Sequence, residues 1–221
     1  MPLPDMLPIF PLTGVLLLPG MRLPLHVFEP RYRNMLEDAL ASSRHVGMVQ
    51  PAVPRQDNAP APDAPQDRPE LYPVGCAGEI EEYRRLDDGR YLLTLVGVSR
   101  YRIREELPLL RGYRRIVPDY GGYAEDGAEP SVSLDAGALV KAFQVYGEAY
   151  RIPFDVARLG RLPSSMLVNG AAMSLPFTPA EKQALLEAPT LAERLRLVLN
   201  LMDMGLGTER PQNFQSPPTL N

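Results

Sequence analysis

The apolar residues of this chain change their spacing once, and that change limits the folds open to it. Up to about residue 120 they form short runs bounded by glycine and proline, or alternate with polar residues; after about residue 130 they recur at intervals of three and four. Period two is the signature of strands and period 3.6 that of helices. A run of strands followed by a run of helices predicts an α+β chain of two subdomains.

Within the first part, Gly14-Val15-Leu16-Leu17-Leu18 and Val46-Gly47-Met48-Val49 read as short buried strands. Asp87-Asp88-Gly89 separates two longer candidates, Val74 to Leu86 and Arg90 to Ser99. Asp-Gly tolerates the positive φ of a tight turn, so these two predict a hairpin. Beyond them Tyr101 and Ile103 alternate with Arg100, Arg102 and Arg104, as on a half-buried strand, and Tyr113 to Tyr120 adds another. One helix interrupts the strands. Pro30 suits its first position, and Tyr32, Met35, Leu36, Ala39 and Leu40 make one apolar face before Ser42 and Ser43 end it.

In the second part Ser133 is placed to cap a helix whose stripe is Leu139, Phe143, Tyr146 and Tyr150. Thr178-Pro179-Ala180-Glu181 unites a Thr N-cap, Pro at N1 and Glu at N3, and Thr190 to Glu193 repeats the capping box. Leu191, Leu195, Val198, Leu199 and Met202 are the expected core face of the last helix, with Gly205 as its stop. The expected domains are therefore a β-rich subdomain over 1–125 and a helical one over 130–206. Residues 51–70 carry Pro51, Pro54, Pro60, Pro62, Pro65 and Pro69 among small polar residues. With so little to bury they read as a flexible surface insert, and 207–221 reads as a disordered tail.

Composition excludes several function classes. The net charge is −4, which does not suit a chain built to lie on nucleic acid or anionic lipid. Cys76 is the single cysteine and His26 and His45 the two histidines, so no metal site and no cofactor is expected. The first basic side chain is Arg22, and prolines interrupt the apolar N-terminus, so a secretory leader is not expected. No run reaches the ~18 apolar residues of a membrane span. A cytoplasmic, membrane-free protein is the expectation.

The motifs themselves carry a likeness. Pro8-Ile9-Phe10-Pro11-Leu12 followed by Leu23-Pro24-Leu25-His26-Val27-Phe28-Glu29-Pro30-Arg31-Tyr32 resembles the opening of the Lon N-terminal domain family, the substrate-recognition module of an ATP-dependent protease. A second block, Val74-Gly75-Cys76-Ala77-Gly78-Glu79-Ile80 with Asp88 to Tyr91, Gly97 and Arg100 to Ile103, is similar to the family's next signature. Glu181 to Glu187 and Arg194-Leu195 resemble its helical end. The resemblance covers roughly 7–203. It implies a β-rich, PUA-like pseudo-barrel with one inserted helix, followed by a helical bundle. The Pro-rich insert departs from the pattern.

The resemblance also implies a function: binding of exposed or unfolded polypeptide segments, with an ATPase or protease supplied in trans. The chain holds no Gly-x-x-x-x-Gly-Lys-Ser/Thr loop, and Lys141 and Lys182, its only lysines, stand in no such context. No nucleophile, base and orienter assemble either, so no enzyme is expected. The binding candidates are Phe28, Glu29, Arg31 and Tyr32 at the strand-to-helix junction, with Arg100 and Arg102 on the later strand. Arg31 has two readings: an anchor for carboxylates or carbonyls of a ligand, or one half of a pair that ties the helix to the barrel. Arg100, Arg102 and Arg104 raise an RNA-binding alternative on the PUA-like fold. Against it stand Glu79, Glu81, Glu82, Glu105 and Glu106 on the same strands and the absence of tryptophan. A small-molecule-binding domain is the remaining alternative.

Overall fold

One strand organises the first unit of the protein. The computed structural model describes residues 2–53, 68–126 and 135–206, and the chain divides into two units, 1–128 and 129–221. Six strands, β1 (Leu7–Pro11), β2 (Arg22–Val27), β3 (His45–Val49), β4 (Val74–Arg85), β5 (Tyr91–Leu110) and β6 (Tyr113–Asp119), pair in the order β2-β5-β4-β3-β1-β6. β5 has 20 residues, enough to serve two neighbours along one edge. Its first part pairs with β2 (Tyr91↔Val27 to Val96↔Arg22) and its last part with β6 (Arg102↔Asp119 to Leu110↔Tyr113), while β4 lies along the opposite edge. Following β5 to β4, β3, β1 and β6 returns to β5. Five strands thus close into a ring and β2 hangs outside it. Only β1 and β3 are parallel. The helix α1 (Pro30–Leu40) connects β2 to β3 and buries Tyr32, Met35, Leu36 and Ala39.

The interior of the ring collects Leu7, Ile9, Val49, Ala77, Tyr101 and Ile116. Tyr101 is fully buried and its hydroxyl donates to the Met48 carbonyl at 3.2 Å. Burial pushes its proton affinity well above that of an ordinary phenol. Two glycines make room for it: a Cβ on Gly47 would lie 2.7 Å from the Tyr101 hydroxyl, and one on Gly75 would meet that hydroxyl and the Met48 carbonyl more closely still.

Gly14 to Leu18 differ from expectation. They form no strand; Gly14 and Gly20, both at positive φ, bracket an irregular crossing that buries Leu16, Leu17 and Leu18. The crossing runs close over the sheet, where a Cβ on Gly97 would collide with the Leu18 carbonyl. A buried apolar run has the same composition as a strand, but here the backbone is held by scattered bonds rather than a ladder: Gly14 N–H donates to the Gln50 side chain, Gly20 N–H to the Gly97 carbonyl and Met21 N–H to the Leu18 carbonyl. The expected hairpin is present: Gly89 takes φ +80°, and the Asp88 carboxylate accepts from the Arg90 amide at 3.0 Å.

Five helices make up the described part of the second unit: α2 (Gly137–Tyr150), α3 (Val156–Leu159), α4 (Ser164–Ser174), α5 (Pro179–Glu187) and α6 (Leu191–Leu206). Thr178 and Glu181 form the full reciprocal capping box of α5. Thr190 and Glu193 exchange the same bonds at α6, 3.2 Å each way. The core face of α6 is rotated from expectation: Arg194, Leu195, Val198, Leu201 and Met202 are buried, whereas Leu191 and Leu199 are only half-buried. Arg194 explains the rotation. Its guanidinium donates to the Leu185 carbonyl at 2.8 Å and to Asn169 at 2.9 Å, so the negative C-terminal end of α5 receives a buried cation. Gly205 does not end α6; it lies inside the helix and accepts the Tyr150 hydroxyl. Ser133, most of the Pro-rich insert and the tail at 207–221 lie outside the described residues.

Candidate polypeptide-recognition surface

The junction of β2 and α1 holds four of the residues singled out from sequence. β2 is an edge strand, and Pro24, which has no N–H to donate, is suited to such a place. The Gly97 amide donates to the Met21 carbonyl at 2.9 Å, and antiparallel alternation from that pair directs Leu23, Leu25 and Val27 toward β5. The backbone groups of Arg22, Pro24 and His26 then face outward. Among the described residues of this unit no strand pairs with that side. The edge therefore offers two N–H groups and three carbonyls to an extended chain.

Phe28 follows the strand with 49 % of its surface exposed, its ring 5.8 Å from that of His26. Glu29 is the N-cap of α1, with Pro30 at N1. Its carboxylate does not cap the helix; it accepts from Arg31, Nε at 3.0 Å and Nη2 at 2.9 Å. The Arg31 guanidinium also lies 4.6 Å over the Tyr32 ring, which is buried against Phe10 at 4.2 Å. Arg31 is thus paired with its near neighbour in sequence, and of the ion pairs described it is Arg111, not Arg31, that ties α1 to the strands. Arg111 occupies the β5–β6 turn at φ +48° beside Gly112, donates to Asp38 and Glu37 and to the Asn34 side-chain oxygen, and accepts from the Asn34 amide at 2.9 Å. Tyr113 adds a hydroxyl donated to Asp38 at 2.8 Å. Burial first, and that bond second, push the Tyr113 phenol up to about 12.

Arg100 and Arg102 sit elsewhere, at and beyond the point where β5 passes from β2 to β6. Arg102 is exposed opposite Asp119. Arg100 departs from the expected alternation: a register shift opposite Ala77 and Gly78 leaves Ser99, Arg100 and Tyr101 all buried. β4 pairs with β5 there, but among the described residues no strand pairs with the opposite edge, between the end of β2 and the start of β6. Instead Asp126 fills the gap, accepting the Arg100 backbone N–H at 2.7 Å and the guanidinium at 2.7 Å. The Tyr123 ring stacks 4.8 Å from the same guanidinium, on a single 3₁₀ turn at Gly121–Tyr123. Sequence reasoning missed both Asp126 and Arg111. The Arg111-Gly112 dipeptide between two strand-like runs was the one local signal of a tight turn.

Other polar groups are taken up structurally. Arg22 grips Glu81 with two bonds, 2.8 and 2.6 Å, which holds the Glu81 carboxyl below its usual range. Arg114 pairs in the same way with Glu106 at 2.7 Å. Cys76 is buried. Among the described residues no group of three or more His, Cys, Asp or Glu is placed to hold a metal ion, and no helix is long and apolar enough to cross a membrane.

A β-sheet unit with an inserted helix, followed along the chain by a helical unit, is shared with known proteins. Residues 6–204 match the ATP-dependent protease La (LON) substrate-binding domain. The chain belongs to this Lon substrate-binding domain family. It is similar to Lon protease 2 of Thermus thermophilus, 29% identical over 215 residues that make up 92% of this chain and 25% of that protein. It is likewise similar to the Lon protease of Xanthomonas oryzae, 28% identical over 204 residues, covering 89% and 23%. The chain thus spans about a quarter of the length of these relatives, and what matches is the substrate-binding domain. The same fold is seen in the Lon N-terminal domain protein from Xanthomonas campestris (TM-score 0.58, 22% identity, 88% of this chain and 97% of that one). The N-terminal domain of the Mycobacterium avium complex Lon protease is comparable (TM-score 0.59, 20% identity, 90% and 98% covered).

Proposed function

We propose that this Lon-type domain is a non-catalytic recognition protein of the cytoplasm that binds exposed or unfolded polypeptide segments. The observation that carries the reading is the outward-facing edge of β2 next to the exposed ring of Phe28, in a member of a substrate-binding family. An extended segment adds to the edge through main-chain hydrogen bonds, which are indifferent to sequence, and places one apolar side chain against Phe28. Glu29 and Arg31 border that contact, Tyr32 supports it from below, and Arg102 borders the barrel farther along β5. Arg100 contributes by holding β5 in place. Its partners are unfolded proteins and an ATPase or protease supplied by another chain. Ordering a flexible ligand consumes much of the contact energy, so affinity is expected near the micromolar level, about −8 kcal/mol.

Fluorescence anisotropy with a labelled, permanently unfolded protein, its native counterpart and a short single-stranded RNA tests this. The expected result is preference for the unfolded chain, weakened about tenfold by Phe28→Asp with unchanged melting, as for removal of an interface anchor. Tight, steeply salt-dependent binding of the RNA alone replaces this reading with the RNA-binding one, and turnover of ATP or peptide by the pure protein removes both.

A further inference from the structure

The helical unit concentrates three arginines, Arg151, Arg158 and Arg161, in the connection from α2 to α4. All three are exposed, and among the described residues none has a side-chain hydrogen bond or ion pair. Arg22, Arg31, Arg90, Arg100, Arg111 and Arg114 each hold a carboxylate; exposed Arg84, Arg102, Arg104 and Arg196 share the unpaired state, and what marks the three is their grouping with apolar residues in one short connection. The one acid within the segment, Asp155, is engaged as the cap of α3, accepting the Arg158 backbone amide at 2.9 Å. Glu148, just upstream on α2, accepts from Gln144.

Arg158 and Arg161 are three residues apart in a helical turn closed by Arg161 N–H donating to the Arg158 carbonyl, so they project from one side. Arg151 ends α2 in the left-handed conformation, φ +56°, where glycine is the easier residue. Between the arginines lie half-buried Ile152, Phe154 and Leu159; half-buried Leu162 follows, and then Met166 with 46 % of its surface exposed. The Tyr150 hydroxyl, bonded to the Gly205 carbonyl, brings in the end of α6, where Met204 is 63 % exposed. The connection presents apolar side chains among exposed guanidiniums, with exposed Asp203 as the acid on the neighbouring end of α6.

We propose that this surface docks an acidic polypeptide segment whose carboxylates alternate with apolar side chains. Charge complementarity selects that occupant: three unpartnered guanidiniums in the described fold are matched by carboxylates, and the apolar floor by leucine or phenylalanine between them. Single-stranded nucleic acid supplies the charge but needs a free aromatic face, and Phe154 is engaged edge-on with Phe143 at 4.9 Å. The inference rests on the reading of the chain as a polypeptide binder and names the class of segment bound.

The probes are a short labelled peptide alternating Glu with Leu and Phe, the same peptide with Gln for Glu, and a single-stranded oligonucleotide, each titrated by anisotropy against the whole chain. Binding of the Glu peptide about tenfold tighter than the Gln peptide is expected, with the advantage lost in R151Q/R158Q/R161Q and weakened by salt. The charge-keeping triple R151K/R158K/R161K retains most of it, and an unchanged melting curve shows that each variant is folded. Equal affinity for the two peptides, an unaltered affinity in the Gln triple, or an oligonucleotide that displaces the Glu peptide overturns the proposal. Binding of an unfolded, weakly charged protein alongside any of these outcomes leaves the general polypeptide reading standing and removes this one alone.

Discussion

The two units are held together over different distances in sequence. In the β unit the decisive polar bonds are long-range: Arg111 reaches back to Asp38 and Glu37, Asp126 reaches Arg100, and Arg22 reaches Glu81. In the helical unit the capping bonds of Thr178 with Glu181 and Thr190 with Glu193 span three residues and Arg194 reaches Leu185 and Asn169, while the Tyr150 hydroxyl, donated to Gly205, is the long-range exception at 55 residues. Bonds within one turn form with the helix itself, whereas bonds across 73 residues, as between Asp38 and Arg111, exist only once the ring has closed. The β unit should therefore fail as a whole when one clamp is broken, and the helical unit should lose stability in small local steps.

The sharpest break in that contrast is Asp126→Ala. It removes the carboxylate paired with a guanidinium whose side chain is 7 % exposed and the acceptor of the Arg100 amide. A loss of about 4 kcal/mol is expected, because removing one partner of a buried ion pair leaves the other charge desolvated and undercompensated. Peptide-resolved hydrogen exchange should show faster exchange throughout β4, β5 and β6 and little change in α5 and α6; equal acceleration in both units breaks the comparison. Tyr113→Phe comes next, at about 1.5 kcal/mol near neutral pH, from the donor lost to Asp38. Its pH dependence sharpens the point. The phenol is raised in the fold from 10.0 to about 12, so its contribution is complete below about pH 10 and disappears as pH rises through about 12. Alkaline unfolding monitored by tyrosine absorbance should start later in Tyr113→Phe than in the parent, relative to each protein's stability at neutral pH. Thr178→Ala is the smallest, about 1 kcal/mol, and its faster exchange should stop at the first turn of α5.

The same difference in reach decides what could be read from sequence. α1, the Asp87-Asp88-Gly89 hairpin and both capping boxes were legible because their determinants lie within a few residues of one another. The Lon likeness was legible because its blocks keep their order along most of the chain. Gly14 to Leu18 looked like a strand because burial alone does not distinguish a strand from an irregular crossing. Arg100 looked exposed because strict alternation was extended through a register shift that only the pairing with β4 creates. Arg111 and Asp126 gave almost no signal, since a single charged residue acquires its role from partners brought close by topology. At the candidate site the sequence pointed to the right junction, but the open side of β2 is a fact of strand order, and strand order is not written locally.

One small detail of the β unit has a use outside recognition. Where the chain leaves β3, Pro51 faces Leu71 in an isolated bridge, Ala52 donates to the Glu70 carbonyl at 2.8 Å, and Tyr72 donates to Gln50 at 3.0 Å. The two ends of the Pro-rich excursion are thereby stapled together at its neck. Doubling the length of such an excursion costs only about 0.6 kcal/mol in closure entropy. The neck is in effect a docking port for cargo chosen by an engineer: an epitope, a fluorescent reporter or a second binding module could be spliced between Val53 and Arg68 and carried by the domain without redesigning it.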